Sequence, residues 1–148
     1  MNQTTTTTYD TDFYAWTQQQ ANLLRQGELA KLDIEHLIEE IEDMGMSQRR
    51  ALSSRLQVLI SHLLKWQHQP DKRSPSWEAT IHIQRSEIVD LLADNPSLRP
   101  QLNAFIERAY PKARQAARGE TRLPLETFPA VCPYDPEQIL DADFFPNA

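Results

Sequence analysis

Leu52, Leu56, Leu59, Leu63 and Trp66 follow one another at steps of four, three, four and three residues. On an α-helix such a row forms a narrow apolar stripe, and a stripe of that kind is stable only where other helices cover it. A chain that carries it is directed toward helix-on-helix packing. Glycine usage points the same way: three glycines in 148 residues, against about 7 % in ordinary proteins, leave little material for hairpin turns or phosphate-cradling loops. The hydrophobic share of 40 % is enough for a core at a length typical of one domain.

Periodicity and punctuation divide the chain into about five helices. The first starts near Asp10 or Asp12, shows Phe13, Trp16, Gln20 and Leu24 on one face, and closes at Gly27. The second takes Asp33 as N-cap, presents Ile34, Leu37, Ile38, Ile41 and Met44, and closes at Gly45. A third, capped by Ser47, carries the leucine stripe to about His68. After a polar loop the fourth runs to about Asp94, with Trp77, Ile81, Ile88, Leu91 and Leu92 inward, and stops before Asn95-Pro96. The fifth starts near Ser97, turns Leu98, Leu102, Phe105, Ile106 and Ala109 inward, is kinked or split by Pro111, and ends at Gly119.

From Thr121 the chain is Pro-rich, with one short helix at Asp135–Leu140 and apolar anchors at Leu123, Phe128, Phe144 and Phe145. The expected fold is all-α: a single helical bundle of about five helices over residues 10–148, wrapped by its C-terminal segment 121–148. Residues 1–9 are expected to form a disordered tail.

Charge alternates along the chain. Residues 28–43 carry a net −6 and residues 47–73 a net +5. Folding the second and third helices into a hairpin about Gly45-Met46 would set Glu42 near Arg49, and Glu35 and Glu39 near Arg55. Interhelical ion pairs would then offset the repulsion among the acids, at about 0–1 kcal/mol for each exposed pair. A second polar group is drawn from the third and fourth helices: His62, Lys65, Trp66, Trp77, Gln84 and Arg85. Gln84 and Arg85 fall in or beside the apolar stripe, so they need partners, and the acidic flank of the second helix is the expected supplier. Glu35, Glu39, Glu42, Arg55, His62, Lys65, Trp66, Trp77, Gln84 and Arg85 are thus the candidate polar network or pocket.

The remaining chemistry is sparse. A di-iron bundle needs paired Glu-x-x-His motifs, whereas the chain has Asp33-x-x-His36 once, no HExxH and no CxxC; no metal or cofactor is expected. Cys132 has no adjacent base and no serine sits in a G-x-S-x-G turn. The net charge of −6 opposes binding to nucleic acid or anionic lipid. The absence of a long apolar run opposes a membrane span, and the lone cysteine fits a cytoplasmic protein.

The elements DFYAW, EEIEDMG, HLLKW and NPSL, in this order from Asp10 to about Phe145, resemble a bacterial family, common in cyanobacteria, known as domain of unknown function 29. The resemblance implies a small all-α protein with no established activity and transfers no catalytic residue. Pro111 departs from the unbroken helix expected of that family. The function expected is a non-catalytic interaction or regulatory module, binding an unknown protein partner or self-associating. The alternatives are a metal-dependent or acid–base enzyme built on the second-helix carboxylates with His62, and a nucleic-acid accessory protein.

Overall fold

The computed structural model describes residues 8–147, where helix dominates and no strand occurs. The four long helices are α1 (Phe13–Arg25), α2 (Ile34–His68), α3 (Pro75–Asp94) and α4 (Leu102–Thr121), followed by the short α5 (Pro136–Leu140). Short 3₁₀ turns join them, and residues 8–11 are also helical. Of the expected N-terminal tail, residues 1–7 lie outside the described residues. The chain divides into two compact units, Met1–Met46 and Ser47–Ala148.

In the first unit, Asp12 caps α1 by accepting from the Ala15 N–H at 3.0 Å. The exit is a Schellman motif. Gly27 takes a φ of 71°, its N–H donates to the Leu24 carbonyl, and the Glu28 N–H donates to the Leu23 carbonyl. Trp16 and Gln20 are buried, whereas Phe13 and Leu24 remain about half exposed.

In the second unit the leucine stripe lies where its spacing places it, with Leu52, Leu56, Leu59 and Leu63 fully buried. Ile81, Ile88 and Leu92 of α3 and Phe105, Ile106 and Ala109 of α4 close over it in one cluster. The Pro-rich segment adds Phe128, Tyr134 and Ile139 to that cluster, and Leu123, Phe144 and Phe145 pack against it. At the entry to α5, Gln138 Oε1 accepts from the Asp135 N–H at 2.9 Å, the reciprocal half of a capping box.

Three boundaries differ from expectation. The second and third expected helices are one 35-residue helix, α2, with Gly45 and Ser47 inside it. Gly45 has ordinary helical dihedrals. A glycine within a helix costs about 1 kcal/mol relative to alanine, whereas breaking the helix frees four N–H and four C=O groups that must be paired again. Ser47 could cap one of those N–H groups, but no other residue from Met46 to Arg50 offers turn chemistry, and the helix continues.

Pro111 does not split α4. That helix also passes Gly119 and ends at Arg122, which takes the left-handed φ of 62°. The fifth helix begins later than Ser97 suggests, because Pro96 and Pro100 hold Pro96–Gln101 as a 3₁₀ turn.

The two glycines yield opposite expectations. Nothing lies within 4 Å of an added Cβ at Gly45, so Gly45→Ala should stabilise by about 0.5–1 kcal/mol in urea denaturation. Gly27→Ala should destabilise by about 1 kcal/mol, because its φ is left-handed. A loss of stability in Gly45→Ala would mean a turn at that position.

Candidate functional site

The residues expected to form a polar pocket separate into small structural contacts in the second unit. Arg55 meets Gln84 Oε1 through Nη1 at 3.2 Å and Glu87 through Nη2 at 3.7 Å, beside a hollow of about 250 Å³ lined by Ala51, Ser54, Arg55, Val58 and Gln84. Lys65 is buried, lies 4.9 Å from the Trp77 ring centroid and pairs with Glu120. The imidazole of His62 donates from Nδ1 to the Val58 carbonyl at 2.9 Å. Burial, reinforced by the Lys65 charge, lowers its pKa. Trp66 stands 4.9 Å from Phe145, with the Arg73 guanidinium 4.9 Å from its ring.

Arg85 is only 2 % exposed. Its Nε donates to the Ile139 carbonyl at 2.8 Å and Nη2 to the Gln138 carbonyl at 3.2 Å. The Phe145 ring stands 5.5 Å away. Its Nη1 has no partner among the described residues. Gln84 and Arg85 therefore do find partners, but on α2 and at the C-terminal end of α5, not on the acidic flank. Arg85 fastens the Pro-rich segment to the core, because two successive backbone carbonyls at the end of α5 converge on one planar fork.

Among the described residues no ion pair of the expected hairpin joins Glu35, Glu39 or Glu42 to Arg49 or Arg55. Those residues share one helix with Arg49 and Arg55. Arg49 instead donates to Gln101 Oε1 at 2.8 Å and covers Phe105. An active site joining the three acids to His62 required the same hairpin. Among the described residues no group of three or more His, Cys, Asp or Glu is placed to hold a metal ion. Burial raises the pKa of the Cys132 thiol, opposite to what a nucleophile needs.

The first unit holds a network that the sequence reading saw only as a failed metal motif. Asp33 Oδ2 accepts from Trp16 Nε1 at 3.0 Å and from His36 Nδ1 at 2.7 Å. The Asp33 N–H donates to Gln20 Oε1 at 2.8 Å. Tyr9 stacks on His36 at 3.8 Å and donates its hydroxyl to Glu40. Burial opposes ionisation of Asp33, but hydrogen bonds from His36 and Trp16 outweigh it and hold the carboxyl below its usual range. Asp33 in turn raises the His36 pKa. The visible signal was a carboxylate at an N-cap three residues before a histidine, following an aromatic helix.

With α1 engaging Asp33, and Tyr9 just before it engaging His36 and Glu40, the adjacent stripe of α2 is left open. Ile34, Ile38, Ile41 and Met44 are 53, 50, 60 and 63 % exposed, although their spacing is that of a core face. At about 100° per residue, Glu35, Glu39 and Glu42 line the far edge of this stripe. All three are exposed, and they make no ion pair among the described residues. Glu35 gains from the helix N-terminus. The Glu35–Glu39 and Glu39–Glu42 neighbours repel by a few tenths of a kcal/mol each.

Two measurements probe these arrangements. Arg85→Lys keeps the charge but loses the fork and should cost about 2 kcal/mol in urea denaturation. The Asp33–His36 pair should stabilise the α1 contact within a pH window. The contribution of His36, whose pKa is raised on folding, is complete below its ordinary 6.5 and is lost as pH rises through the raised value. The contribution of Asp33, whose pKa is lowered, is complete above its ordinary 3.8 and is lost as pH falls through the lowered value. Exchange protection of the Trp16 indole N–H should therefore be greatest between those limits, and His36→Ala should abolish the alkaline loss.

The chain belongs to the family described as Domain of unknown function DUF29, whose model matches residues 8–145. No curated protein and no solved structure matches it.

Proposed function

We propose, starting from membership of a family to which no activity is attached, that this protein is a non-catalytic docking module whose working surface is the open stripe of α2. The observation that carries this reading is the exposure of Ile34, Ile38, Ile41 and Met44 along one helical face. Isolated apolar residues on a surface need no explanation, but a contiguous row rimmed by charge marks a place where another chain lies. The row is presented by a unit whose α1 is held to the other side of α2 through the Asp33 network. The stripe is therefore a formed surface.

Supporting it from the other side, the buried cations Lys65 and Arg85 of the second unit are engaged in holding helices and the Pro-rich segment together. Catalysis would need such groups to converge on an accessible cleft. No helix of the described residues is long and apolar enough to cross a membrane. The reading places the protein in the cytoplasm, where the half-buried Cys132 stays reduced.

The double substitution Ile38→Ser/Ile41→Ser tests it. Both sites are exposed, so stability should change by less than about 0.5 kcal/mol, whereas Leu59→Ala in the core should cost about 2–5 kcal/mol. Capture from the native cell should yield proteins retained by the unaltered chain and absent with the double variant. Identical retained sets would remove the docking role from this face.

A further inference from the structure

We infer that the occupant of the α2 stripe is an amphipathic helix from a partner protein, about three turns or more in length, with Lys or Arg along the edge that lies beside Glu35, Glu39 and Glu42. This rests on the docking role of the stripe and adds the chemistry of what docks there.

Dimensions and spacing set the first part. Ile34, Ile38, Ile41 and Met44 span eleven residues of helix, about 15 Å at a rise of 1.5 Å per residue, and steps of four, three and three form a ridge that fits between side chains of a second helix. Four half-exposed side chains are a small patch beside the ~800 Å² per partner of a standard interface, which suits one docked helix better than a broad face.

Charge sets the second part. The row Glu35, Glu39, Glu42 is exposed and borders the stripe on the side away from α1, with no ion pair to it among the described residues. Across the stripe, Glu40 is already engaged by the Tyr9 hydroxyl. One edge is therefore satisfied from within and the other is not. A helix laid on the stripe must put its own flank against the free row, and cations there turn mutual repulsion into complementarity.

A second copy of the chain is disfavoured by the same row. An antiparallel two-fold pairing sets each Glu row against its symmetry mate, and residues 28–43 carry a net −6 in each copy.

The test uses the full-length chain and labelled synthetic helices of about 18 residues (five turns). Two share one leucine face and differ in carrying Lys or Glu at the polar positions; a third holds the Lys composition in scrambled order. Fluorescence anisotropy is read at low and high salt. The Lys helix should bind at least about tenfold tighter than the other two, and less tightly at high salt. Glu35→Gln/Glu39→Gln/Glu42→Gln should weaken it about tenfold, and Ile38→Ser/Ile41→Ser should abolish it, with helical circular dichroism retained in both variants.

Equal binding of the Lys and Glu helices, lost with the isoleucines, would overturn the basic partner and leave the docking face standing. Binding of the Lys helix that survives Ile38→Ser/Ile41→Ser, or that the scrambled peptide matches, would reduce it to general charge attraction and overturn the inference. Self-association in sedimentation that the isoleucine variant abolishes, without peptide binding, would make a second copy the occupant and overturn it equally. A monomer that binds none of the three overturns it too, while the capture experiment judges the docking role separately.

Discussion

The hydrogen-bond ladder of α2 runs without interruption past Gly45, and the placement of nearly every charged group follows from that. A helix of 35 residues cannot bring its own early acids back to its own later bases. The leucine stripe of its C-terminal part is committed to the α3–α4 core, while its N-terminal part has α1 against one side and an open apolar row beside it. Keeping the ladder costs one glycine in a helix. Breaking it would require partners for eight backbone groups in a stretch where Ser47 alone could supply one.

Polar groups in the two units solve different problems. Lys65 and Arg85 are buried cations, and each is met close by: Lys65 by an indole face and a carboxylate, Arg85 by backbone carbonyls from the Pro-rich segment. A buried charge left unpaired is so costly that such arrangements are requirements of folding. Asp33 holds α1 to the start of α2 through the Trp16 indole and the Gln20 amide, while Tyr9, just before α1, stacks on His36. The carboxylates of Glu35, Glu39 and Glu42 have no such obligation, because water solvates them. Their crowding beside an uncovered apolar row brings local repulsion and hydrophobic exposure together without an ion pair among the described residues, and proteins tend to depart from local consistency at functional surfaces.

The all-α class, the leucine stripe, the inward faces of α3 and α4, the Gly27 exit and the Asp135 cap were all legible in the amino acids. Each depends on neighbours a few residues away, where the helical period and cap chemistry decide. Three things were not legible in this way. Gly45 was read as a stop, but a glycine's dihedrals are permissive in either direction, and the residues after it determine which is used. The row Ile34, Ile38, Ile41, Met44 was read as a core face from its spacing. Spacing says only that the residues share a side, not that anything covers it. The partners of Gln84 and Arg85 were sought among the acids, since charge suggests charge; the fold supplied Arg55 and two carbonyls instead. The sequence alone determined the all-α class and which residues share a helical face, because those are properties of short stretches. Only the tertiary structure decided which faces are closed and which charges are met, because burial and pairing depend on segments far apart in the chain.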